Sequence, residues 1–239
     1  MTDVPPAATH WVPLESNPDW SSKAGLVTSR FAYSDIYGLD EELLSLVPQP
    51  VKAVILLFPI TEPIDRKMQE EVDHVRKHGQ HWVDSNVIWI KQTIGNACGT
   101  MGLLHAIMNA GVPILPNSPI KKYIDACREL TPLERSGLLE TTTIFSEIHA
   151  ESASAGQTAP PEATARVDLH FTCFVSAPDP IDPNKKRLIE LDGRRDSAFD
   201  RGECEDLLKD AARVIKECYV EAAASVQFSM LALAPPPEF

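Results

Sequence analysis

The chain has 239 residues, 44% of them hydrophobic, which is enough apolar sequence for one sizeable core. Its 34 acidic residues outnumber its 22 basic ones and give a formal net charge of −12, the wrong sign for a nucleic-acid scaffold or a protein that binds anionic membranes. No apolar run approaches the roughly 20 residues that a membrane-spanning helix needs.

The first 150 residues predict helices that alternate with strands. The predicted strands cover residues 31–37, 51–60 and 87–90. The middle one is a nearly continuous apolar run, the pattern of a strand covered on both faces. The predicted helices cover residues 18–27, 40–47, 64–77, 98–110, 120–130 and 133–140, with a last turn near 144–149. Asn17-Pro18, Asp40 and the capping box Thr131-Pro132-Leu133-Glu134 mark three of the helix starts.

The remaining sequence opens with residues 151–165, which contain no large apolar side chain and predict a long mobile loop. Strands at 167–176 and 187–192 follow, joined by a proline-rich turn, and then a helix at 204–223 and a strand at 226–233. Residues 234–239 predict an unstructured tail. This pattern indicates one α+β domain over residues 1–239, with a sheet flanked by helices.

One cysteine differs from the other four in its predicted surroundings. Cys98 follows Gly95 and opens a helix, with Asn96 as the expected N-cap and Cys98 at about the second helical position. The unpaired N–H groups and positive dipole end of a helix start lower a thiol pKa that is ~8.5 in free cysteine. A buried core cysteine stays the alternative on this feature alone. Cys204 also begins a predicted helix, but the negative charges of Glu203, Glu205 and Asp206 should keep it protonated. Cys127, Cys173 and Cys218 have no such position.

A cysteine nucleophile needs a base, and His170 is the best-placed candidate. His105 lies on the same predicted helix as Cys98 but ~10 Å further along the axis, out of hydrogen-bond reach. The strand at 167–176 has apolar odd positions, so His170 faces the other side. Three further histidines have spacing that could suggest a metal site, but without a cysteine or a well-spaced carboxylate they fit a solvated helix end better: His74, His78 and His81.

Two more residues complete a candidate site. If the strand after His170 folds back symmetrically about Ile181, His170 faces Asp192 with Cβ atoms ~5 Å apart. A bulge or slip would break this register, and Asp192-Gly193 alone is a common turn pair. Gln92 can donate its side-chain amide to an oxyanion, together with the backbone N–H of Cys98. These residue types are the parts of an acyl-transfer site.

The chain order Gln, Cys, His, Asp resembles that of papain-type cysteine peptidases, and the flanking motifs resemble the ubiquitin C-terminal hydrolases. The motifs occur in that family's order along nearly the whole chain: Trp11-Val-Pro-Leu-Glu15-Ser-Asn17-Pro, Asp35-Ile-Tyr-Gly-Leu-Asp40, Ile55-Leu-Leu-Phe-Pro-Ile60-Thr-Glu, Gln92-Thr-Ile-Gly-Asn-Ala-Cys98-Gly-Thr, Val167-Asp-Leu-His170-Phe and Glu190-Leu-Asp192-Gly-Arg194. Several motifs in one order are far more specific than any single motif.

The resemblance implies a mostly antiparallel six-stranded sheet between helices and a knotted backbone. It implies that Cys98 is the nucleophile, His170 the general base and acid, Asp192 the residue that orients the imidazole, and Gln92 the oxyanion donor. The implied reaction cleaves adducts from the C-terminal glycine of ubiquitin through a thioester, with no cofactor and no metal. The resemblance also matches residues 151–165 to the family's active-site crossover loop, which we expect to restrict the leaving group to small adducts, peptides or unfolded tails.

Two alternatives stay open. The main substrate could be a ubiquitin-like modifier such as NEDD8, or the chain could be a non-catalytic ubiquitin-binding module, although the intact set of four site residues argues against the latter. The acidic balance fits ubiquitin's basic tail, and Glu15 and Asp35 are the expected contacts.

The sequence also predicts a monomer that binds neither nucleic acid nor membrane. Its first ten residues have no cationic flank and no apolar block, so no secretory signal is expected. The five cysteines are an odd number without C-x-x-C spacing, which argues against a disulfide framework and favours a reducing compartment. We therefore expect a cytoplasmic protein and leave an additional nuclear pool open.

Overall fold

The computed structural model describes residues 11, 18–154, 168–223 and 227–236. The helices are α1 (Pro18–Ala24), α2 (Glu41–Leu44), α3 (Glu62–His78), α4 (Cys98–Asn109), α5 (Pro119–Cys127), α6 (Pro132–Thr141), α7 (Thr143–Ser154) and α8 (Leu207–Ile215). The strands are β1 (Ala32–Asp35), β2 (Ala53–Pro59), β3 (Leu169–Pro178), β4 (Lys186–Leu191), β5 (Phe199–Glu203) and β6 (Ser229–Ala234). A π-helical segment, Lys216–Val220, continues α8. Among these described helices, none is both long and apolar enough to cross a membrane.

All six strands form one antiparallel sheet in the order β1-β6-β2-β3-β4-β5. Alternate residues of β2 enter two separate cores, as expected for a central strand. Ile55 packs in the core that includes residues of α1 and α4 to α7, whereas Leu56 packs on the other face with residues of α2, α3 and α8. The α+β class, the six strands and the helices on both faces are therefore confirmed.

Caps explain several element boundaries, and the sequence predicted those at Asp40 and Thr131. The Asp40 side chain accepts from the backbone N–H of Leu43 at the start of α2. Thr131 and Glu134 form the reciprocal capping box at the start of α6. Gly79 ends α3 with φ at 78°, a left-handed conformation that glycine adopts without strain.

The predicted register of the β3–β4 hairpin is wrong by two residues. The strands pair Cys173 with Leu191 and Pro178 with Lys186, so the turn is centred on Asp182 and not on Ile181. The Asp179 side chain fixes this turn by accepting from the backbone N–H groups of Ile181 and Asp182. A shift of two residues keeps every side chain on its predicted face, because side chains alternate with period two.

Other predictions also need correction. Residues 87–90 lie outside the sheet and form neither helix nor strand, and β5 was not predicted. Cys204 precedes α8, which begins at Leu207 after the N-cap Asp206. Residues 151–154 continue α7 instead of joining a loop, while residues 155–165 lie outside the described residues. Ala234, assigned to the tail, pairs with Ala32 in the sheet.

Candidate active site

Cys98 is the first residue of α4 and is partly exposed. Ala97, and not Asn96 as predicted, is the N-cap, because Asn96 adopts a left-handed φ of 59° that turns the chain into the helix. Thr100, one residue beyond Gly99, is fully buried and bonds through its hydroxyl to the His149 ring on α7 at 2.7 Å. This bond holds the first turn of α4 against α7. Cys98 lies at the N-terminal end of that turn, where it is partly exposed.

His170 lies near the beginning of β3 and is buried. Its Nε2 lies 2.7 Å from Oδ1 of Asp192, which follows the last residue of β4. The other ring nitrogen, Nδ1, is then left for Cys98, and the thiol and the imidazole shift each other's pKa. Phe58 packs edge-on against the imidazole, with ring centroids 5.5 Å apart. Thiol, imidazole and carboxylate therefore form one continuous chain of contacts.

These contacts shift the pKa values of all three groups so that each charged form is favoured. Burial alone would raise the pKa of the Cys98 thiol, but the hydrogen bond and positive charge of His170 outweigh burial and lower it. Burial alone would lower the pKa of His170, but the charge and hydrogen bond of Asp192 raise it, with a smaller effect from Cys98. The Asp192 pKa is lowered despite burial, chiefly by His170. The site thus favours a thiolate beside an imidazolium.

The other four cysteines behave differently. All five thiols are free. Burial raises the pKa in every other case: Cys127, Cys173, Cys204 and Cys218. Cys98 is therefore the one thiol of the five whose pKa is lowered, as the sequence argument predicted.

Gln92 lies in the irregular segment that precedes α4. Its side-chain Nε2 donates to the Ile94 carbonyl at 3.2 Å, and its Oε1 is buried without a hydrogen-bond partner. A side-chain amide carries two N–H groups, so one remains for a substrate oxygen. The backbone N–H of Gln92 donates to the carbonyl of Gly193 at 2.9 Å, which ties this segment to the residue after Asp192.

The contact between Gln92 and Gly193 is too close for a side chain at position 193. A Cβ built on Gly193 would lie 2.7 Å from the Gln92 Cβ and 3.1 Å from its backbone nitrogen. From sequence alone, Asp192-Gly193 is a possible turn pair. The structure instead gives the glycine a packing role next to two candidate site residues.

Sequence reasoning missed a buried group of charges on the same side of the sheet as His170. The Glu190 carboxylate is fully buried and bonds to Arg201 at 2.6 Å and to the hydroxyls of Thr172 and Tyr219. Glu71 on α3 bonds to Arg195 and Arg201. Glu190 has the same strand parity as Asp192, and that parity was the one signal in the sequence that could have placed it there.

The remaining candidate residues lie apart from this chain of contacts. His105 is buried and accepts from the backbone N–H of Ile90 at 3.0 Å. His81 contacts Asp179, and the rings of His74 and His78 pack against each other. Within the part of the chain that the structure describes, no group of three or more residues could hold a metal ion. Asp35 is exposed at the end of β1, and Glu15 lies outside the described residues.

A thiol at a helix start, an imidazole and a buried carboxylate on a six-stranded antiparallel sheet place the chain among the cysteine hydrolases. The model of the family described as "Ubiquitin carboxyl-terminal hydrolase, family 1", peptidase C12, matches residues 11–219. The chain belongs to this family, and it is a cysteine-type deubiquitinating enzyme by that membership.

Similar proteins cover nearly the same length. Ubiquitin carboxyl-terminal hydrolase 3 of Arabidopsis thaliana is 34% identical over 95% of each chain. Isozyme L1 of Rattus norvegicus is 33% identical, with 92% of this chain and 96% of that protein covered. The catalytic domain of Trichinella spiralis UCH37, solved bound to ubiquitin vinyl methyl ester, has a TM-score of 0.71 at 19% identity and covers 97% of this chain and 98% of that one. This last likeness shows the shared fold.

The altered pKa values predict how Cys98 reacts with iodoacetamide. Because only the thiolate reacts, Cys98 should be alkylated at a pH below the range of free cysteine, and faster than the other four thiols. Asp192→Asn removes the charge that raises the pKa of His170, so the thiolate loses its cationic neighbour and its alkylation at pH 7 should slow. Mass spectrometry of the alkylated peptides across pH 5 to 9 measures both effects.

Asp125→Asn is the control for this measurement, since it removes one exposed carboxylate that pairs with Lys121 on α5. It should leave the alkylation profile of Cys98 unchanged. An Asp192→Asn profile identical to that of the unmodified protein would contradict the electrostatic account.

Proposed function

We propose that the chain hydrolyses the bond between the C-terminal glycine of ubiquitin and small adducts or peptides. The observation that carries this proposal is the arrangement of three side chains. His170 contacts Asp192 at 2.7 Å and lowers the pKa of the Cys98 thiol. The family and the similar proteins, which are ubiquitin carboxyl-terminal hydrolases, support ubiquitin as the substrate. The Trichinella spiralis UCH37 catalytic domain is bound to a ubiquitin ester in its crystal structure, which supports ubiquitin as the partner.

In the proposed first step, the Cys98 thiolate attacks the carbonyl carbon of the terminal glycine. The resulting oxyanion accepts hydrogen bonds from the Gln92 amide and from the backbone N–H of Cys98. The His170 imidazolium then gives its proton to the leaving amine, the C–N bond breaks, and a thioester with Cys98 remains.

In the second step His170 acts as the base. The neutral imidazole takes a proton from water, the hydroxide attacks the thioester, and the thiolate leaves as the C–S bond breaks. Asp192 keeps the ring oriented with Nδ1 toward Cys98 and stabilises the imidazolium in both steps. The reaction needs no cofactor or metal in this scheme.

Substrate capture is proposed to be electrostatic. The exposed carboxylate of Asp35 ends a strand at the edge of the sheet, where it is open to a basic tail, and Glu15 is proposed as a second contact. The preference for small leaving groups is proposed from the resemblance of residues 151–165 to a crossover loop. A ubiquitin-like modifier such as NEDD8 as main substrate is a second candidate, and comparison of fluorogenic ubiquitin and NEDD8 derivatives separates the two.

Covalent labelling tests the proposed function directly. A ubiquitin probe with a C-terminal electrophile should form one adduct, on Cys98, and Cys98→Ala should abolish it while still binding ubiquitin. Intact-mass analysis reads the adduct and isothermal titration reads the binding. Cys218→Ala is the matched control, because Cys218 is partly exposed and has a raised pKa. Lack of any adduct with the unmodified protein, or an adduct that survives Cys98→Ala, would refute the proposal.

Gly193→Ala should damage turnover by displacing Gln92. The added methyl group would meet the Gln92 backbone and its Cβ, so we expect kcat to fall toward the ~10²–10³-fold loss typical of a missing oxyanion donor, with a smaller change in KM. Steady-state hydrolysis of a fluorogenic ubiquitin amide measures both constants. The control is Gly137→Ala on α6, where a methyl group meets open space. Equal kcat values for the two variants would show that the close contact has no catalytic role.

Asp35→Lys should weaken ubiquitin capture without slowing chemistry. Reversal of an exposed charge acts on the encounter with a basic tail, so KM should rise at low salt and the effect should shrink as salt is added. Titration of Cys98→Ala protein with ubiquitin at two ionic strengths, with and without the Asp35 change, checks this. An affinity that does not change at low salt removes Asp35 from the binding surface.

A further inference from the structure

The segment that leads to Gln92 is held to α4 by side chains and not by a β-ladder. Ile88 and Ile90 are buried outside the sheet, so their backbone polar groups need other partners. Asn109 supplies two of them: its Oδ1 accepts from the Ile88 N–H at 2.7 Å, and its Nδ2 donates to the Ile88 carbonyl at 2.9 Å. His105 supplies the third, because its Nε2 accepts from the Ile90 N–H at 3.0 Å.

Asn109 is also bonded to the backbone of His105. Asn109 lies one turn beyond His105 on α4 and donates to the His105 carbonyl at 2.8 Å. His105 must be neutral for its Nε2 to accept a hydrogen bond. Burial keeps it so by lowering its pKa to about 4, against a smaller opposing effect of Asp192 and of the backbone at Leu191 and Ile90.

The same segment also holds the loop that carries Asp192. The indole N–H of Trp89 donates to the Asp192 carbonyl at 3.0 Å. The Lys91 ammonium group donates to the carbonyls of Arg194 and Arg195 at 3.0 and 2.7 Å. With the bond from Gln92 to Gly193, four contacts join this segment to residues 192–195. It is therefore a bridge between α4 on one side and the Asp192 loop on the other.

We propose that His105 and Asn109 are positioning residues for the reaction. They lie about two and three turns beyond Cys98 on the same helix, and they set the positions of Gln92 and Asp192 relative to the thiol. A small displacement of catalytic groups is costly to turnover, so loss of these contacts acts on catalysis as well as on stability. The predicted effect on turnover rests on the proposed function, whereas the predicted effect on the Cys98 thiol does not.

The test uses four single variants of the full chain. His105→Leu removes the acceptor for the Ile90 N–H, while His105→Gln keeps an acceptor oxygen near the same place. Asn109→Asp keeps the acceptor for the Ile88 N–H and replaces the donor by a second acceptor, which faces the Ile88 carbonyl. Ile107→Ala is the control, since it leaves a cavity in the core on the same helix without touching residues 88–92 by hydrogen bond. Circular dichroism gives the unfolding temperature of each variant, and the variants are compared below that temperature.

Two readouts separate positioning from a merely structural role. We expect His105→Leu and Asn109→Asp to lower kcat for a fluorogenic ubiquitin amide by about 10- to 100-fold with little change in KM. Both should also slow Cys98 alkylation at pH 7, because the Asp192 loop no longer holds the imidazole in place. His105→Gln should recover most of both, and Ile107→Ala should change only the unfolding temperature.

The outcomes are distinct. If His105→Leu and Asn109→Asp lower the unfolding temperature but keep kcat and the alkylation profile, the two residues are structural and the inference is wrong. If His105→Leu does not fold, Asn109→Asp and His105→Gln decide by the same criteria. If the unmodified protein does not turn over the ubiquitin amide, the proposed function fails, and the alkylation profiles alone support or overturn the inference.

Discussion

The buried contact between His170 and Asp192 is the interaction on which the proposed chemistry of this molecule depends. It joins the beginning of β3 to the end of β4, and it gives the imidazole a charge that the surrounding core would otherwise oppose. That charge lowers the pKa of the Cys98 thiol, which lies at the start of a separate helix. Three distant parts of the sequence therefore share one protonation equilibrium, and a change in any of them alters the other two.

A second group of charged side chains lies on the same side of the sheet, and it contains equal numbers of acidic and basic residues. Glu71 and Glu190 carry two negative charges, and Arg195 and Arg201 carry two positive ones, with Phe199 packed against both guanidinium groups at 4.5 Å. Such buried ion pairs contribute little net stability, but loss of one partner leaves an uncompensated charge and typically costs about 3–5 kcal/mol. Because Arg195 also lowers the pKa of Asp192, this cluster is electrostatically connected to the contact between Asp192 and His170.

The sequence correctly predicted features that follow from the local hydrophobic pattern. It failed where side-chain hydrogen bonds determine the path of the backbone. The apolar run of β2 and the strand parity that turns His170 toward Asp192 are local, and both are confirmed. The hairpin register depends on hydrogen bonds of the Asp179 side chain, which propensity does not encode. Residues 87–90 are as apolar as a strand, but the backbone groups of Ile88 and Ile90 bond to side chains of α4 and not to a neighbouring strand. The edge strand β5 is polar, with its Arg201 paired to Glu190, so no apolar alternation marks it.

The lowered pKa of Cys98 also makes this residue sensitive to oxidation. A thiolate that is partly open to solvent is also the form that peroxide attacks, first to a sulfenic acid and then to irreversible acids. The other thiols have raised pKa values, so oxidative damage should concentrate on Cys98, the proposed nucleophile. Protein stored without a reductant would then lose its reactive group while its fold and its remaining cysteines stay intact.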